Sequence, residues 1–205
     1  MHRCRLLTVG LCLAWFFAVG TGIAYVSKYQ NLAGDTGATP RHWPNAAPFQ
    51  LTPAKFTLLL FAHPQCPCTR ATLEELNRLL ARCGDRVDTH VFFLQSAGLA
   101  ANWTRSGLWS SAAEIPGVTL HEDLDGATAR RFGAETSGYA LLYDTRGELL
   151  FRGGITAGRG HAGDNAGENM ILAQINSPAA NVEQTPVYGC SLLTKCSPDQ
   201  PETAR

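Results

Sequence analysis

Between Leu6 and Val26 the chain reads LLTVGLCLAWFFAVGTGIAYV, 21 residues without a charge. As a helix, such a run crosses a hydrocarbon core of about 30 Å. A cleaved signal usually carries an apolar stretch of only about 7–15 residues before a small-residue site. This run is longer, and Tyr25, Val26 and Lys28 make a poor cleavage context, so an uncleaved single-pass anchor is expected. Arg3 and Arg5 precede it. The positive-inside tendency therefore puts residues 1–5 in the cytoplasm and everything beyond the anchor (residues 6–26) outside. Cys12 reads as a small apolar residue of the membrane helix, because Leu11 stands where a lipidated cysteine needs a small neighbour.

The remainder divides into three. Residues 27–55 carry Gly, Pro, Ala and Thr without periodicity and read as a spacer; residues 56–177 read as the folded domain, and residues 178–205 as a polar, cysteine-containing tail. With 205 residues and 45% apolar content, there is room for one ordinary domain with its own core. Lysine plus arginine equals aspartate plus glutamate at 17 each, and outside the anchor region 14 basic residues face 17 acidic ones. The basic residues are scattered, so no nucleic-acid footprint is visible and nucleic acid is excluded as a partner.

FTLLLFAH (56–63) is an apolar run of the kind that forms a buried strand. TRATLEELNRLLARCG then spaces Leu73, Leu76, Leu79 and Leu80 for a helix, with Thr69 as a cap near its start and Gly84 past its end. VDTHVFFLQS (87–96) reads as a second buried strand, residues 97–117 as irregular, VTLHED as a short strand and LDGATARRFG as a short helix stopped by Gly133. GYALLYD, TRGE and LLFRGG form a β-hairpin signal; a glycine-rich loop, GITAGRGHAGDNAG, leads into a last helix, ENMILAQIN. This order predicts an α/β sheet covered by helices.

That order places HPQCPCTR (63–70) directly after a central strand, at the N-terminus of its helix. The unpaired N–H groups and dipole of a helix start favour a thiolate, lowering a cysteine pKa from about 8.5 toward 3.5–7.5. Cys66 and Cys68 together are the minimum apparatus for thiol–disulfide exchange. A bond between them would close a small, strained ring across Pro67, which suits a reversible disulfide better than a structural one.

A strand ending in FAHPQCPC and entering a helix resembles a thioredoxin-type active site. LDGATARRFGAETSGYALLYDTRGELLFRGG is similar to the matching stretch of membrane-anchored thioredoxin-like proteins that handle thiols outside the cytoplasmic membrane. HPQCPCTR, TSGYALLYD, GGITAGRGHAGDN and TPVYGC together most resemble the RedB-type branch of that superfamily, over roughly residues 50–195. The resemblance implies a thioredoxin-like central sheet with flanking helices behind the anchor. It also implies a thiol- or disulfide-bearing protein partner and no organic cofactor. Two departures stand out. One residue rather than two separates the cysteines, so Cys68 aligns with the family's second cysteine and Cys66 falls one place late. Ser137 and Gly138 occupy the place of a proline that normally faces the pair and helps hold a substrate chain.

In such an arrangement the loop between the last strand and last helix lies beside the cysteines, which nominates His161, Asp164 and Asn165 as supporting residues, His161 as a proton donor or acceptor. Its other reading is a flexible glycine-rich turn; its formal match to GxGxxG lacks the strand and acidic residue a dinucleotide site needs. His63 is either a strand-end residue or a neighbour of the thiols, and His121 with its acidic neighbours reads as a solvated turn. Cys83 reads as a buried small residue; Cys190 either pairs with Cys196 or returns to the active site as a resolving thiol.

The expected activity is extracytoplasmic thiol–disulfide exchange through Cys66 and Cys68 by a protein of the bacterial inner membrane facing the periplasm. The alternative is a copper-binding or metallochaperone module, since some anchored thioredoxin-like proteins hold copper with two cysteines and a distant histidine. Thiolates and imidazole suit that metal, and His161 would supply the nitrogen. The usual ligand spacing is not matched, and no metal ligand set is assigned. The anchor makes a direct prediction: the full-length chain fractionates with membranes through residues 6–26. A soluble mature form beginning near residues 25–30 would overturn it.

Overall fold

A computed structural model describes residues 2–45, 47, 49–179 and 181–193. The chain divides into two compact units, the break falling between Leu32 and Ala33. The first is helix α1 (His2–Gln30). Its segment Leu6–Gln30 contains an 18-residue stretch of mean hydropathy 2.0, none of it buried. It is long and apolar enough to cross a membrane, a property that anchors and signal sequences share.

The second unit is a six-stranded mixed sheet with helices on both faces. Strand β1 (Phe56–Ala62) leads into α2 (Cys68–Cys83), then β2 (Val87–Gln95). Two short helices follow, α3 (Ala101–Thr104) and α4 (Gly107–Ala113), then β3 (Val118–Leu124) and α5 (Ala127–Phe132). The hairpin β4 (Tyr139–Tyr143) and β5 (Leu149–Gly154) precedes α6 (Ala166–Asn176) and the two-residue β6 (Glu183–Gln184). The spatial order is β3-β2-β1-β4-β5-β6, with β1 parallel to β2 and antiparallel to β4. This is the thioredoxin-like α/β architecture expected from the sequence.

Strand β1 is apolar on both faces because both are covered. Leu58, Leu60 and Ala62 pack under α2, α4 and α6, against Leu76, Leu79, Ala112 and Ile171. Leu59 and Phe61 face the other layer, with Phe132 of α5, Leu141 and Tyr143. A strand buried on both sides reads as a continuous apolar run rather than an alternation. Each such Leu or Phe contributes about 1.5–3 kcal/mol of burial.

Three segments differ from the sequence expectation. Residues 33–55, expected as part of a spacer, belong to the folded unit. Gly34 donates to the Val187 carbonyl (2.8 Å), Trp43 to the Gly147 carbonyl (2.7 Å), and Leu149 to the Arg41 carbonyl (2.8 Å). The Trp43 ring packs on Phe132, Tyr143 and Phe49. The stretch 97–117, expected as irregular, holds α3 and α4; Ser106 caps α4 with its hydroxyl. The tail beyond 178 returns to the sheet as β6 and continues along it to residue 193. Cys196 lies outside the described residues.

His121 is in strand β3, not in a solvated turn. Its Nε2 lies 2.9 Å from His90 Nδ1 of β2; Phe49 stacks on the His121 ring and packs tilted against that of His90. One nitrogen must donate and the other accept, so the contact needs at least one neutral ring. Asp88 Oδ2 is 3.2 Å from His90 Nε2 but off the hydrogen-bond direction, and it accepts from Thr52.

Burial lowers the His90 pKa against the opposing Asp88 charge, and burial together with His90 lowers that of His121. Unfolded histidines therefore take up protons at a higher pH than folded ones, and the stability these two contribute is lost as pH falls through about 6.5. Glu75, whose pKa burial raises, works in the opposite direction. The melting temperature should fall by about 2–4 °C for each kcal/mol lost between roughly pH 7 and pH 5. In His121→Asn that dependence should be shallower; identical slopes in the two proteins would overturn the assignment.

Candidate active site

Beyond Ala62 the chain makes two successive tight turns. Cys66 donates its N–H to the His63 carbonyl (3.1 Å) and Thr69 to the Cys66 carbonyl (3.0 Å). Pro67 sits between the cysteines with φ −62° and ψ −27°, at the start of α2. Its missing N–H costs nothing there, since a helix start has no internal acceptor for it. Thr69 is not the cap that its sequence position suggests. Its hydroxyl turns inward to Ser137 Oγ (3.0 Å) and the His63 carbonyl (3.4 Å).

Cys66 is buried, with 1% of its surface exposed. Its sulfur accepts the Cys190 backbone N–H at 3.4 Å. Burial pushes this thiol up, but donation from the Cys190 thiol, the Cys190 and Cys68 backbone and the Thr69 side chain brings its pKa below the usual thiol value. Cys68 is half-buried and raised, by burial and by the charge and hydrogen bond of Cys66, against Arg159 and the Gly160 N–H. Cys190 is pushed up to about 12 by burial, by its hydrogen bond to Cys66, and by the charges of Cys66 and Cys68. Of the three sulfurs, Cys66 holds the negative charge most easily, and its two neighbours keep their protons.

Cys190 arrives from the tail. Ser137 donates its N–H to the Cys190 carbonyl (2.8 Å), Leu192 donates to the Glu135 carbonyl (2.8 Å), and Arg159 Nη1 donates to the Gly189 carbonyl (2.6 Å). The turn at Gly189 runs so close to residue 137 that a Cβ there would overlap the Ser137 carbonyl oxygen.

The other sequence candidates are placed as follows. Ser137 faces the cysteine loop: its Oγ accepts the His63 N–H (2.9 Å). Gly138, at φ +90°, donates to the Phe61 carbonyl (2.7 Å), in a backbone conformation that glycine adopts freely. The glycine-rich loop reaches the thiols through Arg159 and the Gly160 N–H. His161 is exposed, with Nδ1 2.8 Å from the Arg159 carbonyl, and Asp164 is exposed. Asn165 is buried; its side chain caps α6 at the Glu168 N–H (2.8 Å) and donates to Glu75 (3.1 Å). His63 accepts the Gln65 N–H (3.1 Å) and packs edge-on to Trp103. Cys83 is buried at the end of α2, where its thiol reaches the Leu79 carbonyl. A shallow groove of roughly 270 Å³, lined by Gln65, Cys66, Pro67, Arg70 and Leu108 among others, opens beside the pair. Among the described residues, no group of three or more His, Cys, Asp or Glu side chains is disposed to hold a metal ion.

Sequence reasoning passed over Arg159 and Gly189, and gave Thr69 only a capping role. Arg159 alone carried a visible signal, as the one cation in GRGHAG.

The fold recurs in solved structures of low sequence identity. A hypothetical protein of Sinorhizobium meliloti is 19% identical with a TM-score of 0.59, the match covering 79% of this chain and 100% of that one. An uncharacterized conserved protein of Geobacillus kaustophilus is 18% identical with a TM-score of 0.56, over 82% and 96%. A secreted Mycobacterium tuberculosis disulfide oxidoreductase is 14% identical with a TM-score of 0.43, over 61% and 83%. No protein-family model and no curated protein matches the chain.

The Gly189 contact tests whether the tail shields Cys66. An inserted methyl that cannot fit costs about 1–3 kcal/mol, enough to raise an undocked population roughly 5- to 150-fold. Gly189→Ala should speed Cys66 alkylation within that range, read at a pH high enough that ionisation no longer limits the rate. An unchanged rate would show that the tail is no barrier.

Proposed function

We propose that this protein is a thiol–disulfide oxidoreductase of the RedB-type thioredoxin-like branch, working outside the cytoplasmic membrane with Cys66 and Cys68 as its redox pair. The observation that carries the reading is the environment of Cys66, a buried sulfur surrounded by hydrogen-bond donors at the start of α2. An inert structural cysteine in an apolar setting has a raised pKa, whereas this one is lowered despite its burial.

The Cys66 thiolate attacks one sulfur of a partner's disulfide. That bond breaks, the partner's other sulfur leaves as a thiolate and takes up a proton, and Cys66 is left in a mixed disulfide. Cys68 then loses its proton and attacks Cys66, closing the Cys66–Cys68 bond and releasing the partner reduced. The reverse sequence oxidises a partner dithiol. The groove along Gln65, Pro67, Arg70 and Leu108 receives the partner's chain beside Cys66. Helix α1 keeps the domain at the membrane, with its N-terminus cytoplasmic and the folded unit facing the periplasm.

Oxidised glutathione followed by thiol blocking should yield the tryptic peptide 56–70 with an internal disulfide. The protein should also speed reduction of insulin by dithiothreitol, and Cys66→Ser should lose at least about tenfold of that rate, the loss expected when a nucleophile is removed. If Cys66 and Cys68 both remain alkylatable after oxidation, the redox centre lies elsewhere.

A further inference from the structure

Cys190 is 124 residues from Cys66 in sequence, yet its N–H lies 3.4 Å from the Cys66 sulfur. The placement is built. The residues on either side of Cys190 are tied down, Gly189 by Arg159 and Leu192 by Glu135, and the Cys190 carbonyl is held by Ser137. A side-chain sulfur and the N–H of its own residue are separated by only two carbons, so a sulfur that touches the Cys190 N–H is within reach of the Cys190 thiol by rotation about one bond. Each thiol bears on the other's ionisation, Cys190 lowering the pKa of Cys66 and Cys66 raising that of Cys190.

We propose that Cys190 is a third redox thiol of the centre, competing with Cys68 for Cys66, so that exchange moves one disulfide between Cys66–Cys68 and Cys66–Cys190. This rests on the exchange reading of the pair. Starting from Cys66–Cys68, the Cys190 thiolate attacks the Cys66 sulfur. The Cys66–Cys190 bond forms and the Cys66–Cys68 bond breaks. Cys68 leaves with the electron pair and takes up the proton that Cys190 gave up. No electrons enter or leave, so the step needs no further oxidant once a partner disulfide has oxidised the centre.

The surroundings favour this sequence. In the reduced centre, the Cys66 charge and hydrogen bond hold the Cys190 proton on. Once Cys66 is in a disulfide, that charge is gone and Cys190 becomes easier to ionise. Arg159 lowers both Cys68 and Cys190, and so stabilises the attacking and the leaving thiolate alike. Moving the bond also opens the small ring across Pro67. It staples the tail over Cys66 and leaves Cys68 as the accessible thiol.

The test uses the full-length chain, purified reduced and treated with oxidised glutathione. Trypsin separates Cys66 (peptide 56–70), Cys190 (160–195) and Cys196 (196–205), so each pairing has its own mass. In Cys68→Ser the main product should be 56–70 linked to 160–195, and the Cys66–glutathione adduct should decay at least about tenfold faster than in Cys68→Ser/Cys190→Ser. A thiol held beside its target gives that much or more. In Cys190→Ser the internal disulfide of 56–70 should still form. If Cys68→Ser instead accumulates a lasting Cys66–glutathione adduct, with Cys190 alkylatable or linked to Cys196, the third-thiol assignment is overturned while the exchange function stands. If Cys190→Ser fails to close the 56–70 disulfide, the exchange function itself fails.

Discussion

A negative sulfur inside a protein is tolerated only where donors replace the water it has lost. Cys66 poses that problem to the rest of the structure, and the donors come from elements far apart in the chain. Cys68 and Thr69 belong to the first turn of α2, and the Cys190 N–H comes from the tail. Thr69 is held in turn by Ser137, which also receives the N–H of His63 and donates its own to Cys190. A short set of hydrogen bonds thus joins the end of β1, the start of α2, the approach to β4 and the tail.

A second buried group ties the glycine-rich loop to the same helix. The Glu75 carboxylate has no exposed surface and is met by the Gly163 N–H (2.6 Å), by Asn165 Nδ2 (3.1 Å) and by Arg78. Burial raises its pKa against the opposing Gly163 bond and Arg78 charge. The loop so held also carries Arg159 and Gly160, the groups that lower Cys68. Removing one partner of a buried charge is far more disruptive than removing an exposed pair. Glu75, two turns along α2 from Cys68, is thus tied to the loop that borders the thiols.

What could be read from the sequence was what local pattern encodes. The apolar run of β1, the leucine spacing of α2 and the hairpin turn at TRGE each depend on neighbouring residues, and each is present. The position of Cys66 and Cys68 after a central strand followed from that order. The strap containing Trp43 and Phe49 was hidden because its partners, Phe132, Tyr143 and His90, lie far along the chain and it has no period of its own. The same applies to the His90–His121 contact, which depends on the register of β2 with β3. The thioredoxin-like resemblance nominated His161 as the chemical residue of the loop, but which group meets the thiols depends on loop conformation. The residues in electrostatic contact with them are Arg159 and Gly160.

The single residue between the cysteines connects the unusual pair to the tail. With Pro67 already at the helix start, Cys68 is the first residue of α2 and Cys66 lies just outside it. A sulfur inside the first turn can draw on several unpaired N–H groups of the helix. Cys66 draws on one backbone N–H from α2, that of Cys68, and on the Thr69 side chain. The Cys190 N–H meets the same sulfur at 3.4 Å, and Cys190 lowers its pKa, adding to what the helix start provides. The Cys-Pro-Cys spacing and the returning tail are on this account two halves of one device. Any residue but proline at position 190 would offer that N–H; a cysteine there adds a sulfur beside it.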